Sequence, residues 1–224
     1  MVGGPSAHPG GEMIRYQLAL FGHSQRYLFP GLAFLALLSV LYGAEAGSPA
    51  PPEFAVSAGV LTVVACWLTI TLVDVEDPAQ RLITLAHARK LSTMVIGLVL
   101  ALFACCAGLT VLALIWSIVA HGGDSLGDLG SAALAHLAAA SAGIAIGLPC
   151  SRLLVPRIVY SAFAAPIALA VVLMSRWLPL VNPMLRALSS NRPAAFDVVV
   201  GLLTSLLALA VSAVAVTVLV ERRS

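Results

Sequence analysis

The sequence GDSLG at residues 123–127 matches the GxSxG pattern in which a serine acts as the nucleophile of a hydrolase. His121 and Asp128 lie close by and supply the other residue types of a Ser-His-Asp triad. Such a serine needs a strained strand-to-helix turn and an oxyanion hole within a packed domain. The polar stretch here is only about ten residues long and separates two apolar segments, which predicts a glycine-rich turn. A hydrolase that uses Ser125 is the less favoured alternative.

Other catalytic and coupling chemistries lack a matching pattern. The single lysine, Lys90, lies between Arg89 and Leu91, whereas a nucleotide-binding P-loop needs a glycine before its lysine. The chain is therefore not expected to hydrolyse ATP by that machinery, and any coupling to ATP must come from another polypeptide. The five histidines show no HExxH or other metal-ligand spacing, so no metal site and no bound cofactor are predicted. His136 lies alone in an apolar segment, which favours a packed residue bonded to a neighbouring helix over a proton relay.

The composition places these residues in lipid. Of 224 residues, 60% are hydrophobic and 10% are charged, whereas a soluble domain is about 45–50% apolar and about 25% charged. A soluble fold of this size would leave too much hydrocarbon in water. The net charge of +2 is too small and dispersed for a nucleic-acid surface. The four cysteines lie in or beside apolar runs and predict no disulfide framework; the adjacent Cys105 and Cys106 are interpreted as core residues.

Six apolar segments predict an all-α, polytopic membrane protein, since a membrane helix needs about 20 residues to cross the hydrocarbon core. The first segment is short, and the third is long enough to tilt or to project beyond the bilayer. An even number of spans puts both termini on one side. The predicted spans are 27–42, 54–73, 91–119, 131–148, 153–174 and 196–220.

The positive charges predict that both termini are cytoplasmic, because loops rich in Lys and Arg stay inside. With the N-terminus inside, nine of the twelve Lys and Arg residues are cytoplasmic, whereas Glu45, Glu53, Asp124 and Asp128 fall in outer loops. The nine are Arg15, Arg26, Arg81, Arg89, Lys90, Arg152, Arg157, Arg222 and Arg223.

Residues 1–26 are predicted to form a cytoplasmic N-terminus, and residues 27–224 the membrane domain. Ile14, Leu18 and Phe21 recur at helical spacing, which favours an amphipathic helix in the inner interface over a plain extension of the first span. An alternative for the first span is a cleaved secretory signal, because the small residues of 44–46 follow it.

The loop 74–90 carries a helix start signal. Asp77 can cap a helix, Pro78 suits its first position, and Gln80 can reach back from the third. The predicted helix ends near His87 and has an apolar side too short to span a membrane. We expect it to dock a cytosolic partner. The alternative is a connector that rests on the lipid headgroups.

Two further segments have sequence patterns that bear on how the helices pack. The outer connection 176–197 is broken by three prolines into pieces too short to span, yet it remains apolar. It can dip into the outer leaflet or cover a cavity, and the alternative is an ordinary surface loop. In the fourth span, Ala139, Gly143 and Gly147 form a small-residue face that lets another helix approach closely.

Three stretches in this layout, RYQLALFGHSQRY, DVEDPAQRLITLAHARKLSTMVIG and WLPLVNPMLRAL, resemble the membrane subunits of type-2 ATP-binding-cassette (ABC-2) exporters. Those permeases have an N-terminal interfacial helix, six spans, a coupling helix in the first cytoplasmic loop and a broken outer segment before the last span. The resemblance covers nearly the whole chain and rests on layout more than on diagnostic residues.

The resemblance implies a permease subunit of the bacterial cytoplasmic membrane that moves a hydrophobic or amphipathic substrate outward. A separate ATPase subunit would bind ATP and Mg²⁺, and a second permease copy or a related permease would complete the dimer. It places an outer gate at Trp177, Pro179, Asn182 and Pro183. The residues that it implies for coupling to the ATPase are Asp77, Pro78, Gln80, Arg81, Leu82, Ile83, Thr84 and His87.

Two alternatives remain open at this point. One is the six-helix membrane subunit of a haem exporter for cytochrome c maturation, which has a similar size and layout. The other is a membrane scaffold or assembly subunit that transports nothing.

Overall fold

The computed structural model describes residues 19, 22, 25–43, 50–75, 91–121, 125–154, 158–175, 177–190 and 194–222. Within these ranges every regular element is a helix. The helices are α1 (Leu28–Gly43), α2 (Ala50–Val73), α3 (Leu91–His121), α4 (Leu126–Cys150), α5 (Ile158–Met174), α6 (Asn182–Ser189) and α7 (Ala195–Glu221).

Each of the six apolar segments forms a helix, and α6 is an additional short one. By length and composition, α2, α3, α4 and α7 are able to cross a membrane, which marks the chain as a multi-pass membrane protein. As predicted, α1 is short, with 16 residues, and α3 is long, with 31. The 17-residue α5 is also short.

The helices alternate in direction, so the bundle has two ends. At one end, which we call the Arg26 end, the start of α1 and the ends of α2 and α4 meet through Arg26, Asp74 and Arg152. The start of α3 packs against the end of α7 there through Leu91 and Val220. At the other end, the His121 end, Glu53 at the start of α2 contacts the last residue of α3.

The helices α2 and α4 form the centre of the bundle. More than half of the apolar stretch of each is buried, 61% in α2 and 56% in α4, against 28% in α3 and 22% in α7. A Cβ atom on Gly143 would lie 2.3 Å from the Thr62 carbonyl oxygen, and one on Gly147 would lie 2.6 Å from Thr69 Cβ. Ala139 on the same face is fully buried. The predicted small-residue face of α4 is therefore confirmed as its contact with α2.

The N-terminal segment is separated from α1 by a turn. Gln25 has a φ of 54°, in the left-handed region that ends a right-handed helix, and the Leu28 amide donates to its carbonyl oxygen over 3.1 Å. Most of the predicted interfacial helix, the residues 44–46 of the alternative signal site and the predicted coupling helix lie outside the described residues.

Candidate functional site

A buried acid–base pair joins α2 to α3 at the His121 end. Glu53 Oε2 lies 3.3 Å from His121 Nε2, and both side chains are about one-tenth exposed. His121 Nδ1 donates to the Ser117 carbonyl oxygen over 3.0 Å, and the ring meets Tyr42 of α1 edge-on, with 6.0 Å between centroids. Three helices therefore converge on one imidazole.

The position of Glu53 corrects its assignment to an outer loop. The helix α2 begins at Ala50, and two prolines occupy its first turn, where their missing N–H groups cost nothing. Glu53 therefore lies in the first helical turn, where the positive end of the helix dipole favours a carboxylate. The helix start, not a loop, brings this carboxylate to His121.

His136 bridges the two central helices, as the sequence predicted. It is fully buried, its Nδ1 donates to the Ala132 carbonyl oxygen over 2.8 Å, and Ser57 Oγ of α2 lies 3.1 Å from Nε2. Because both ring nitrogens have partners, this imidazole is a satisfied structural group. The fourth helix begins at Leu126, so His136 also lies deeper in it than the predicted span implied.

Ser125 caps a helix. Its Oγ accepts from the Asp128 amide over 3.1 Å and donates to Asp128 Oδ2 over 2.6 Å, which satisfies an otherwise unpaired amide at the start of α4. Since α4 starts at Leu126, the second half of the GDSLG stretch is helical and the turn is shorter than predicted. The geometry fits a cap and gives no support to a hydrolytic serine.

The Arg26 end carries a second polar cluster. One guanidinium nitrogen of Arg26 donates to the Asp74 carbonyl oxygen over 3.1 Å, and Arg152 Nε lies 3.6 Å from Asp74 Oδ1. The sequence identified these residues as charges flanking helices but did not pair them. The sequence did predict all three residues on the same side of the membrane. Their contact at one end of the bundle agrees with that prediction.

The described part of the proline-broken segment 176–197 packs against the bundle. Pro183 lies in the first turn of α6, and Val181, Met184 and Leu188 are buried. A Cβ on Gly201 of α7 would lie only 2.9 Å from the Leu180 carbonyl oxygen. The described part of this segment therefore packs against α7 and the core, while its insertion into the outer leaflet or its covering of a cavity stays a prediction.

The four predicted gate residues have different environments. Trp177 is 95% exposed, while Asn182 is buried and its Nδ2 donates to the Leu173 carbonyl oxygen at the end of α5. The Pro179 carbonyl oxygen accepts a hydrogen bond from Thr204 of α7. Asn182 and Pro179 therefore tie the segment to α5 and α7, whereas Trp177 points away from the bundle.

The predicted coupling residues, from Asp77 to His87, lie outside the described residues. Within the described ranges no group of three or more His, Cys, Asp or Glu side chains is arranged to hold a metal ion. No family model, no curated protein and no solved structure matches this sequence.

Proposed function

We propose that this chain is the permease subunit of an ABC-2 type exporter in a bacterial cytoplasmic membrane. Six helices, α1 to α5 and α7, would span the bilayer with both termini in the cytoplasm. A separate ATPase subunit would hydrolyse ATP with Mg²⁺, and two permease subunits would form the path of a hydrophobic or amphipathic substrate. The resemblance in layout supports this proposal.

The packed α6 segment carries the proposal. A surface loop does not bury a row of apolar side chains, whereas α6 inserts Met184 and Leu188 between α2 and α7. Irregular backbone within the membrane is tolerated where protein satisfies it, so in this proposal the packed segment covers the outer end of the transport path. A scaffold subunit has no need for such a cover.

The helix α2 links the two ends of the bundle. The last residues of α2 precede the 76–90 connection at the Arg26 end. Near the start of α2, a Cβ atom built on Gly59 would lie 3.3 Å from Leu185 Cδ1 of α6. Because α2 is also packed closely on α4, it is able to move only together with its neighbours. A displacement of the 76–90 connection by an ATPase would thus be transmitted along α2 to the α6 cover.

The test is association with an ATP-binding-cassette ATPase, which this proposal expects the adjacent reading frame to encode. Leu82→Asp and Ile83→Asp place a charge on the apolar side of the predicted coupling helix and should abolish co-purification of the ATPase while membrane insertion continues. The matched control is Leu126→Asp, the same change at an 89% exposed leucine of the His121 end, which should leave co-purification unchanged. Unchanged co-purification in both coupling-helix variants would contradict the exporter and favour the scaffold.

A further inference from the structure

A crevice of about 720 Å³ lies between the start of α1, the second half of α2 and the middle of α3. Its wall consists of Tyr27 just before α1, Gly31 of α1, Leu68 of α2, and Cys105, Gly108 and Leu112 of α3. Its volume falls in the range of pockets that hold drug-sized ligands, about 300–1,000 Å³. Cys105, predicted with Cys106 as a core residue, is partly buried against the core and also forms part of this wall.

The glycines leave the crevice open. A Cβ built on Gly31 or on Gly108 meets no atom within 4 Å, in contrast to Gly143 and Gly147 at the contact of α2 with α4. The space at these two glycines is therefore not used for helix packing. Either position accepts a larger side chain, and that side chain would extend into the crevice.

The surroundings of the crevice determine what fills it. α3 is the longest of the four helices able to cross a membrane, and Val111 and Leu112 in the crevice wall are 53% and 45% exposed. In a membrane these side chains face hydrocarbon, so the crevice is accessible to lipid tails. An apolar wall offers no hydrogen bonds to water, which favours an alkyl chain as the occupant.

The charge at one end of the crevice specifies the headgroup. Tyr27 lines the crevice, and the preceding residue, Arg26, forms a cluster with Asp74 and Arg152. Two guanidinium groups and one carboxylate give this cluster a formal charge of +1. Arginine binds phosphate through paired N–H donors, and the net charge of +1 favours a phosphodiester whose headgroup adds no positive charge of its own.

We propose that the crevice binds one acyl chain of an anionic glycerophospholipid, with its phosphate at the Arg26–Asp74–Arg152 cluster. The lipid comes from the leaflet that surrounds the Arg26 end. The proposal requires only that the chain resides in a membrane, so it does not depend on the transport function proposed above.

Native mass spectrometry of the detergent-solubilised full chain tests the proposal, with phosphatidylglycerol and phosphatidylcholine of identical acyl chains as the probes. Wild-type protein should bind phosphatidylglycerol more tightly. Gly108→Leu should weaken that binding about tenfold, the equivalent of about two methylene groups that are no longer buried. Arg26→Gln should reduce the affinity for phosphatidylglycerol to that for phosphatidylcholine.

The control is Gly130→Leu on α4, where a built Cβ also meets no atom within 4 Å but the crevice is distant in the fold. It should bind both lipids as the wild type does. Gly31→Leu provides a second filling variant if Gly108→Leu does not fold; leucine raises helix propensity at each position. Wild-type affinity in the filling variant, or equal affinity of the wild type for the two lipids, would overturn the proposal.

Discussion

Two ionisable side chains in the bundle show how far single residues could be predicted. His136 stands alone in an apolar run, and its burial and its bond to a neighbouring helix followed from that isolation. Glu53 follows two prolines, which disguise a helix start as a loop, and its partner His121 is distant in sequence. The tolerance of prolines in a first helical turn was the signal that could have placed Glu53 correctly.

The Glu53–His121 contact is expected to stabilise the His121 end. Glu53→Ala should lower the free energy of unfolding by about 1–3 kcal/mol, because it removes the carboxylate that lies 3.3 Å from Nε2 of the buried imidazole. A double-mutant cycle with His121→Ala, measured by chemical unfolding in detergent, should give a coupling energy of about 0.5–3 kcal/mol.

Asp197→Ala is the matched control for this cycle, since Asp197 also lies in the first turn of an apolar helix, α7. It should cost only the helix-dipole contribution, about 0.3–1 kcal/mol. An additive cycle, or equal costs for Glu53→Ala and Asp197→Ala, would mean that the Glu53–His121 contact contributes nothing.

At the scale of elements, the two central helices are held together by backbone proximity more than by large side chains. In lipid the surroundings are as apolar as the interface, so close packing and interhelical hydrogen bonds must supply the association. Gly143 and Gly147 let α4 approach α2, and His136 with Ser57 adds a hydrogen bond between the same two helices.

Gly143→Ala should therefore destabilise the bundle although alanine is the better helix former. Its Cβ would lie 2.3 Å from the Thr62 carbonyl oxygen and 2.7 Å from Ala65 Cβ, so α2 and α4 must separate. Overpacking of this kind costs about 1–3 kcal/mol. In contrast, Gly130→Ala meets no atom within 4 Å and should stabilise α4 by up to ~1 kcal/mol. Denaturant unfolding followed by circular dichroism separates the two; the same sign for both would refute the close contact.

The helices were more predictable than their contacts. Hydropathy alone located six apolar helices, because each needs only a continuous run of apolar residues. Hydropathy did not indicate α6, because three prolines divide the 176–197 segment. Proline is common in the first turn of a helix, so Pro183 was the residue that could have indicated the start of α6. The burial of Met184 depends on α2 and α7, and the pairing of Arg26 with Asp74 depends on the bundle, so neither was visible in local sequence.

At the scale of the whole molecule, the two ends of the bundle differ in their positive charges. Among the residues that the structure describes, Arg26, Arg152 and Arg222 belong to the Arg26 end, whereas Arg186 of α6 belongs to the other. This asymmetry favours a cytoplasmic Arg26 end. The 16 residues of α1 cover only about 24 Å, less than the hydrocarbon core of about 30 Å, so α1 spans only if the bilayer thins or flanking residues reach the interface.

Cysteine labelling of intact cells with a membrane-impermeant maleimide should resolve both points. Leu126→Cys and Gly43→Cys, at the His121 end, should react from outside, and Arg222→Cys should react only after permeabilisation. Val111→Cys, half-exposed on the middle of α3, should not react in either condition because it faces lipid. Labelling of Arg222→Cys from outside would reverse the orientation. Labelling of Gln25→Cys, an exposed position just before α1, from outside together with Gly43→Cys and Leu126→Cys would show that α1 does not span and that the first crossing is α2.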